Sequence, residues 1–223
     1  MEQVSLELKE YVKDKILTQY DQNNVGGHGK EHIETVTNRC FELMEEFNLN
    51  LDPDMVYAIA SFHDLGYRIE PDNHEDVSSI MFLDDEFMKS FFNDFQRRII
   101  AEAIIDHRAS LEYEARSDYG KLVSSADREV SVENMLKRSI LFQADKHRAE
   151  NPTDLQVIDY SYKKLSSKYG KGGYAKMYYP DAKYLAYLDT MQEILEDKSK
   201  FVEAELEVME KLKQENAYSS FEA

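Results

Sequence analysis

Apolar residues recur at every third or fourth position through most of this sequence, and this spacing constrains the fold more than any other feature. In the N-terminal part they form two series. The first is Val4, Leu8, Tyr11 or Val12, and Lys15 or Ile16, and the second is Ile33, Val36, Cys40, Leu43 or Met44, and Phe47. Such spacing puts apolar side chains on one face of a helix. Strands would require alternation of apolar and polar residues, and no alternating run of useful length occurs. The sequence therefore predicts an all-α fold.

Turn residues mark where the predicted helices begin and end. Residues 21–27 are rich in asparagine and glycine, which favour turns and separate the first two helices. Asp52 and Pro53 predict a helix start, with Asp52 as the N-cap, and this helix should end near Gly66. Later helices are predicted over residues 75–89, 94–107, 119–127, 132–150 and 153–168.

The charge of the chain narrows the class of partner. The 223 residues include 44 acidic and 27 basic ones, which give a formal net charge of −17. This charge opposes binding to a nucleic-acid polymer or to an anionic membrane surface, so we expect a small soluble partner. A hydrophobic content of 42% is enough for one well-buried core.

Cysteine usage and the absence of apolar runs indicate a compartment. Cys40 is the one cysteine, so it cannot form an intrachain disulfide. No apolar run approaches the roughly 20 residues that cross a bilayer. The acidic, amphipathic first residues also differ from a secretory signal. We therefore expect a cytoplasmic protein.

The C-terminal part differs in composition. Residues 160–187 hold eight of the fifteen tyrosines and a glycine-rich loop at 168–174. This segment could be a lid over a phosphate ligand. Tyrosine suits half-buried contacts, which favours a crossover that packs an extra helix onto the main bundle. We predict a main domain over residues 1–165, with a tyrosine-rich loop and a helical extension, residues 166–223, packed on the same domain.

An apolar stripe follows on the predicted tail helix after Pro180. It consists of Leu195, Val202, Leu206 and Met209. The stripe would suit either docking of this helix on the domain or a narrow homodimer contact.

Histidine is concentrated in or beside segments that are mostly apolar. Four of the six histidines have this setting: His32, His63, His74 and His107. Asp64 directly follows His63, and Asp127 follows a run of small residues. One such histidine is usually a helix-end residue with a satisfied hydrogen bond. Four on successive predicted helices, with two aspartates, indicate a metal site instead.

The chemistry of these side chains favours a catalytic metal. Neutral imidazole and carboxylate are ligands of zinc, manganese and iron. Structural zinc sites usually contain cysteine thiolates, and this sequence has no set of cysteines. A metal with open positions for water and substrate fits better.

The order of these residues is similar to that of a known family. A histidine at a helix start (His32), an adjacent His63-Asp64 pair and an isolated Asp127 resemble the HD superfamily of metal-dependent phosphohydrolases. His74 in NHEDVSS and His107 in AIIDHR resemble the extra histidines of the subgroups that hold two metals. The resemblance covers roughly residues 26–130. It implies that the all-α chain is an HD-domain helical bundle over residues 1–165, with a helical C-terminal extension.

The resemblance also implies a ligand set. The first metal would be held by His32, His63, Asp64 and Asp127. Asp64 would bridge to a second metal held by His74 and His107. One or two divalent ions are implied, and manganese, iron, zinc, magnesium, cobalt and nickel all suit such donors.

The implied reaction is hydrolysis of a small phosphate ester or nucleotide by a metal-activated water. The predicted catalytic residues are Asp64, Arg68 and Arg108. Asp64 would bridge the metals, and the two arginines would bind phosphate, because arginine can do so through two hydrogen bonds. Lys30 and Arg128 are further candidates, and ordinary salt bridges are the alternative for all the basic residues. Some HD enzymes have lysine after the glycine that follows the HD pair, whereas this chain has Tyr67 and Arg68 there.

Two histidines remain outside the predicted ligand set. His28 resembles a histidine that some relatives have ahead of the first ligand, and it would contact either a ligand or the substrate. His147 lies between Lys146 and Arg148, and we expect it on the surface.

Three other interpretations stay open at this point. A small set of HD-fold proteins uses the same ligand pattern to hold two irons and act as oxygenases. A metal-binding regulatory HD protein without turnover is the second. In the third, the histidines only end helices and satisfy buried polar groups. The complete ligand set favours an enzyme.

Overall fold

The protein is described here by a computed structural model that covers residues 3–20 and 29–218. All regular elements in this part of the chain are helices, so the all-α prediction is confirmed. The chain forms two compact units. The first comprises Met1–Arg128 and Lys176–Asp181, and the second comprises Glu129–Ala175 and Ala182–Ala223.

The first unit contains most of the helices. In chain order they are α1 (Leu6–Tyr11), α2 (Leu17–Tyr20), α3 (Lys30–Glu46), α4 (Pro53–Phe62), α5 (His74–Asp84), α6 (Glu86–Phe91), α7 (Asp94–Asp106) and α8 (Asp118–Ala126). A π-helical turn, Val12–Ile16, joins α1 to α2. Two 3-10 turns, Leu65–Arg68 and Pro71–Asn73, lie between α4 and α5.

The second unit contains four longer helices. They are α9 (Val132–Lys146), α10 (Asp154–Tyr169), α11 (Ala182–Glu196) and α12 (Lys198–Gln214), with a 3-10 turn at Arg148–Glu150. Within this unit α9 packs on α10 and α12, and α11 packs on the same two helices. None of the helices in the described part of the chain has the length and apolar character needed to span a bilayer.

Polar side chains fix the helix starts. Asp52 accepts hydrogen bonds from the backbone N–H groups of Asp54 and Met55, as the sequence predicts. Asn93 and Gln96 form a capping box at the start of α7. Each cap of this kind typically stabilises a helix by about 1 kcal/mol. The starts of α4 and α7, the helices that His63 and His107 follow, are therefore fixed by caps, whereas α3 and α5 begin without a side-chain cap.

Two predicted helices are interrupted by aspartates that start a new helix. The helix expected over residues 75–89 is divided at Asp85, whose side chain accepts a hydrogen bond from the backbone N–H of Met88. The tail is divided at Asp197, which caps α12 in the same way. Aspartate competes with the backbone for hydrogen bonds, and here that local effect outweighs the continuous apolar spacing.

The core of the first unit lies where α3, α4, α7 and α8 pack together. Large side chains that are fully buried there include Leu8, Ile33, Leu43, Ile59, Phe82 and Ile100. Burying a side chain of this size contributes roughly 1.5–3 kcal/mol. This packing holds the ends of several helices in fixed positions.

The tyrosine-rich segment is divided between the two units. Residues Lys176–Asp181 belong to the first unit, whereas the flanking helices α10 and α11 belong to the second. Lys176 donates hydrogen bonds to the carbonyls of Leu111 and Tyr113, and the Tyr178 hydroxyl accepts one from the backbone N–H of Ala115. These contacts are made within the first unit, and the crossover and the lid both stay predictions.

The apolar stripe of the tail differs from the predicted one. Leu195 and Met209 are buried, but Leu206 is 39% exposed and Val202 is half-buried. The buried face of α12 consists instead of Phe201, Glu205, Val208, Met209 and Leu212. The break at Asp197 separates Leu195 from the other three residues, and within α12 Val202 and Leu206 lie to one side of the face formed by Phe201, Glu205, Val208 and Leu212. The homodimer contact through this region stays a prediction.

The predicted boundary between the two regions of the chain falls inside a helix. Residues 165 and 166 both lie in α10. The division into an HD domain over residues 1–165 and an extension over 166–223 stays a prediction.

Candidate metal centre

All six predicted ligands lie in the first unit, and most of them lie at helix ends. His63, His107 and Asp127 are the residues that follow α4, α7 and α8. His74 is the first residue of α5, and His32 lies in the first turn of α3. A side chain at a helix end can extend beyond the helix axis, so several helices can direct their ends to one place.

Three of these residues form one group. His32, His63 and Asp127 each offer a ligand atom, and these atoms lie within 4.8 Å of one another. His32 Nε2 lies 3.2 Å from Asp127 Oδ1 and 3.4 Å from His63 Nε2. His63 is fully buried, whereas the side chain of Asp127 is 19% exposed. The group is therefore reachable from solvent on the Asp127 side.

The other three residues form a second, buried group. Asp64, His74 and His107 also offer ligand atoms within 4.8 Å of one another. His74 Nε2 lies 3.2 Å from His107 Nε2 and 3.2 Å from Asp64 Oδ1. Each of the three residues is at most 7% exposed.

Asp64 connects the two groups through its two carboxylate oxygens. Oδ2 lies 3.3 Å from His32 Nε2 and 3.2 Å from His63 Nε2. Oδ1 faces the Nε2 atoms of His74 and His107, at 3.2 and 3.5 Å. One carboxylate thus faces two pairs of imidazoles, as a bridging ligand would.

Backbone hydrogen bonds set the tautomers of three of the rings. The Nδ1 atoms of His63, His74 and His107 donate to the carbonyls of Ala60, Pro71 and Ile104, at 2.8, 2.9 and 2.5 Å. In a neutral ring the proton is then on Nδ1, and the Nε2 lone pair points into the centre. His74 Nε2 and His107 Nε2 would face each other as two acceptors at 3.2 Å. A shared cation relieves that repulsion.

Electrostatics in the centre follow from burial and the two aspartates. Burial opposes protonation of His32, but hydrogen bonds and charge from Asp127 and Asp64 outweigh it and raise the His32 pKa to about 9. Burial lowers the pKa of His107. Burial would raise the pKa of Asp127, but His32 and His63 hold it well below its usual range. Asp127 is thus ionised at neutral pH and attracts a cation.

These observations test whether a metal fits. The donors are imidazole nitrogens and carboxylate oxygens, which bind divalent first-row metals. Three of the imidazoles are oriented by a hydrogen bond from the other ring nitrogen, as is usual for metal-binding histidines. The donor set and its orientation fit a divalent-metal centre.

The basic residues predicted as phosphate clamps have different surroundings. Arg108 Nη1 donates to Glu75 Oε1 and to the Asp72 carbonyl, both at 2.7 Å. Arg68 is exposed and ends the 3-10 turn that follows Asp64. The roles of Arg68 and Arg108 in catalysis stay predictions.

Arg128, another candidate clamp, is 4% exposed. Its guanidinium donates to the His107 carbonyl at 3.0 Å, to Ser124 Oγ at 2.7 Å and to Asp127 Oδ2 at 3.3 Å. Arg128 therefore holds two predicted ligands, a role that the sequence reasoning missed. Its position next to Asp127 was the only available signal.

Of the two remaining histidines, the structure describes only His147. His147 stacks on Tyr160 at 3.9 Å between ring centroids and bonds Glu150, in the second unit. His28 lies outside the described residues. Gly66 was noted only as a helix end, yet its N–H donates to Ser78 Oγ at 2.8 Å and joins the turn after Asp64 to α5.

Comparison with known proteins agrees with this arrangement of helices and side chains. The described part of the first unit is helical and brings two groups of histidine and aspartate side chains together. Residues 29–131 match the family model of the HD domain. Residues 29–131 are therefore similar to the HD domain, which is the domain of a superfamily of metal-dependent phosphohydrolases. Searches of curated proteins and of solved structures found no match.

Proposed function

We propose that this protein is a metal-dependent phosphohydrolase that acts on a small phosphate ester or nucleotide. The observation that carries the proposal is the position of Asp64, whose two oxygens face two separate imidazole pairs. A carboxylate in this position can bind two cations at once. Sites with two divalent metals commonly catalyse phosphoryl hydrolysis.

Each residue has a role in this proposal. His32, His63 and Asp127 would hold one cation, His74 and His107 would hold the other, and Asp64 would contact both. Bound divalent metals would lower the pKa of a water and neutralise charge on the phosphoryl oxygens. The exposed edge of Asp127 would face the substrate side of the centre, because the second group is more deeply buried.

Arginine would supply further charge. Arg68 is exposed and lies four residues after Asp64, so it is better placed than Arg108 to bind the phosphoryl group of a substrate. Arg108 binds Glu75 and the Asp72 carbonyl through Nη1, which leaves other N–H groups of its guanidinium for a phosphoryl oxygen. Through its bonds to the Asp72 carbonyl and Glu75, Arg108 would also hold the start of α5 and thereby His74.

The experiment is phosphate release from a panel of nucleotides and phosphate esters by metal-loaded protein. The parent is compared with Asp64→Ala and with His147→Ala, which removes a histidine outside the centre. We expect release that requires added manganese, iron or another divalent metal. Release should vanish in Asp64→Ala and stay at the parent level in His147→Ala.

The result that would contradict the proposal is stoichiometric metal binding without phosphate release from any compound. Oxygen consumption by the iron-loaded protein would then support a di-iron oxygenase. Neither phosphate release nor oxygen consumption would support a metal-binding regulatory protein.

A further inference from the structure

A cavity lies in the first unit, between the N-terminal helical segment, α3 and α4. Its volume is about 560 Å³, which is within the range of roughly 300–1,000 Å³ found for small-molecule sites. None of the six His/Asp residues of the metal centre lines it. The cavity is therefore a separate place to which a ligand could bind.

Three lysines line this cavity on a strongly acidic chain. Lys9 and Lys13 come from the N-terminal segment, and Lys30 is the first residue of α3. Among the described residues that line the cavity, Glu34 is the one carboxylate. The local charge is thus positive although the whole chain carries a formal net charge of −17.

The three lysines have no partner among the described residues. Lys89, Lys121 and Lys163 show the usual arrangement, in which a lysine pairs with a nearby acidic side chain. By contrast, no carboxylate of the described residues pairs with Lys9, Lys13 or Lys30, and Glu34 does not pair with Lys30 although it is four residues away. Unpaired cations that share one cavity repel each other, and an anion between them removes that cost.

The other groups that line the cavity indicate what else the ligand would contain. The Ser61 and Thr37 hydroxyls donate to the Tyr57 and Ile33 carbonyls, so the lysines are the main groups left for a charged ligand. Leu17, Ile33 and the half-buried ring of Tyr57 supply an apolar wall. Such a wall suits a flat ring, because aromatic side chains stack on rings.

We propose that this cavity binds a small organic phosphate that carries a ring, at a site distinct from the metal centre. The lysines bind the phosphate as point charges, and Tyr57 contacts the ring. Lys30 and Ile33 lie on either side of His32 in the first turns of α3. The ligand therefore contacts the same helix that presents one residue of the metal centre.

The test is equilibrium binding of ADP, pyrophosphate and adenosine to the full chain at low ionic strength, with a chelator present. The chelator keeps the metal centre free of divalent ions, so binding there is minimised. We expect ADP to bind more tightly than either partial ligand. We also expect 0.5 M salt to weaken ADP binding, because exposed charges are screened.

Single substitutions then locate the site. Lys9→Gln, Lys13→Gln and Lys30→Gln should each weaken ADP binding by about threefold or more, the effect of removing one partly exposed charge contact. Lys15→Gln is the matched control, since Lys15 lies in the same π-helical turn as Lys13, is exposed and does not line the cavity. Its effect should stay within about twofold. Tyr57→Leu should reduce ADP binding but leave pyrophosphate binding unchanged.

Two outcomes would overturn the proposal. One is a parent protein that binds none of the three compounds. The other is ADP binding that all three cavity variants retain and that Asp64→Ala removes, since the ligand would then be at the metal centre. Phosphate release is not measured, so failure here is distinct from failure of the proposed hydrolase activity.

Discussion

Arg128 binds one oxygen of Asp127 and His32 lies against the other. Arg128 Nη1 donates to Asp127 Oδ2 at 3.3 Å, and Asp127 Oδ1 lies 3.2 Å from His32 Nε2. The same guanidinium donates to the His107 carbonyl. One buried arginine thus fixes a residue of each half of the centre.

Replacing Arg128 should therefore weaken metal binding without removing a ligand. We expect Arg128→Met to lower metal affinity by about 10- to 100-fold, as loss of a residue that orients a ligand typically does. Isothermal titration calorimetry with a divalent metal measures this affinity. Arg148→Met, at an exposed arginine in the second unit, is the control and should bind metal like the parent. Equal affinity in both variants would show that Arg128 does not position Asp127.

Divalent metal should stabilise the first unit. The cation binds the folded centre, and in the unfolded chain the six donors are spread over residues 32–127, with only His63 and Asp64 adjacent. At a free metal concentration 100 times Kd, the expected gain in the free energy of unfolding is about 2.7 kcal/mol. Denaturant unfolding with metal and with excess chelator measures the difference. His74→Gln should reduce the gain and His147→Gln should not. An unchanged gain in His74→Gln would remove His74 from the ligand set.

Gly66 should not tolerate a side chain. A Cβ at this position would lie 2.6 Å from the His74 carbonyl oxygen, 2.7 Å from Val77 Cβ and 2.8 Å from the Ser78 backbone nitrogen. We expect Gly66→Ala to lower the free energy of unfolding by about 1–3 kcal/mol, as overpacking does, and to shift α5 and His74 away from Asp64. Thermal unfolding and metal titration together test this. Parent-like values in both would show that the turn adapts without cost.

Glu205 should make the stability of the second unit depend on pH. Its side chain is fully buried in α12 and accepts a hydrogen bond from Ser161 through Oε1, while Oε2 has no partner in the described part of the chain. Burial raises the pKa of Glu205 from its ordinary value of 4.5 to about 8, although Ser161 opposes this. The folded state therefore keeps a proton that the unfolded state releases above pH 4.5.

The sign of this effect follows from linkage. Stability is highest below pH 4.5, falls as the pH rises towards 8 and is constant above it, with a total change on the order of 4 kcal/mol. Glu205→Gln stays neutral and should remove this dependence, so it should be more stable than the parent at pH 8 and similar at pH 4.5. Denaturant unfolding at both pH values measures it. A parent as stable at pH 8 as at pH 4.5 would contradict the prediction.

Much of the fold could be predicted because helix periodicity and end signals are local. Asp52 and Pro53 predict the start of α4 correctly. The breaks at Asp85 and Asp197 were not predicted, because the apolar spacing continues through both and only the cap contacts reveal them. The exposure of Leu206 was also not predicted, because the apolar spacing does not show that the buried face of α12 is centred on Phe201, Glu205, Val208 and Leu212.

The ligands of the candidate site could be predicted from the sequence, whereas the residues that orient them could not. Four histidines and two aspartates on successive predicted helices indicated a metal site, and their order resembles the HD superfamily, so the candidate ligands could be named from the sequence. The contacts of Arg128 with Ser124 and the His107 carbonyl depend on how α7 and α8 pack. Such contacts join positions far apart in the chain, and no spacing rule in one sequence specifies them.

The first unit is discontinuous along the chain, and this limits which fragments can fold. Asp181 accepts a hydrogen bond at 2.8 Å from Arg39, which is 5% exposed in α3. A fragment that ends at residue 128 or 165 would keep all six His/Asp residues but would lack Asp181. It would leave a buried guanidinium without its carboxylate, a loss that typically costs about 3–5 kcal/mol. We therefore expect a stable metal-binding fragment to need residues 176–181 as well as the chain up to residue 128.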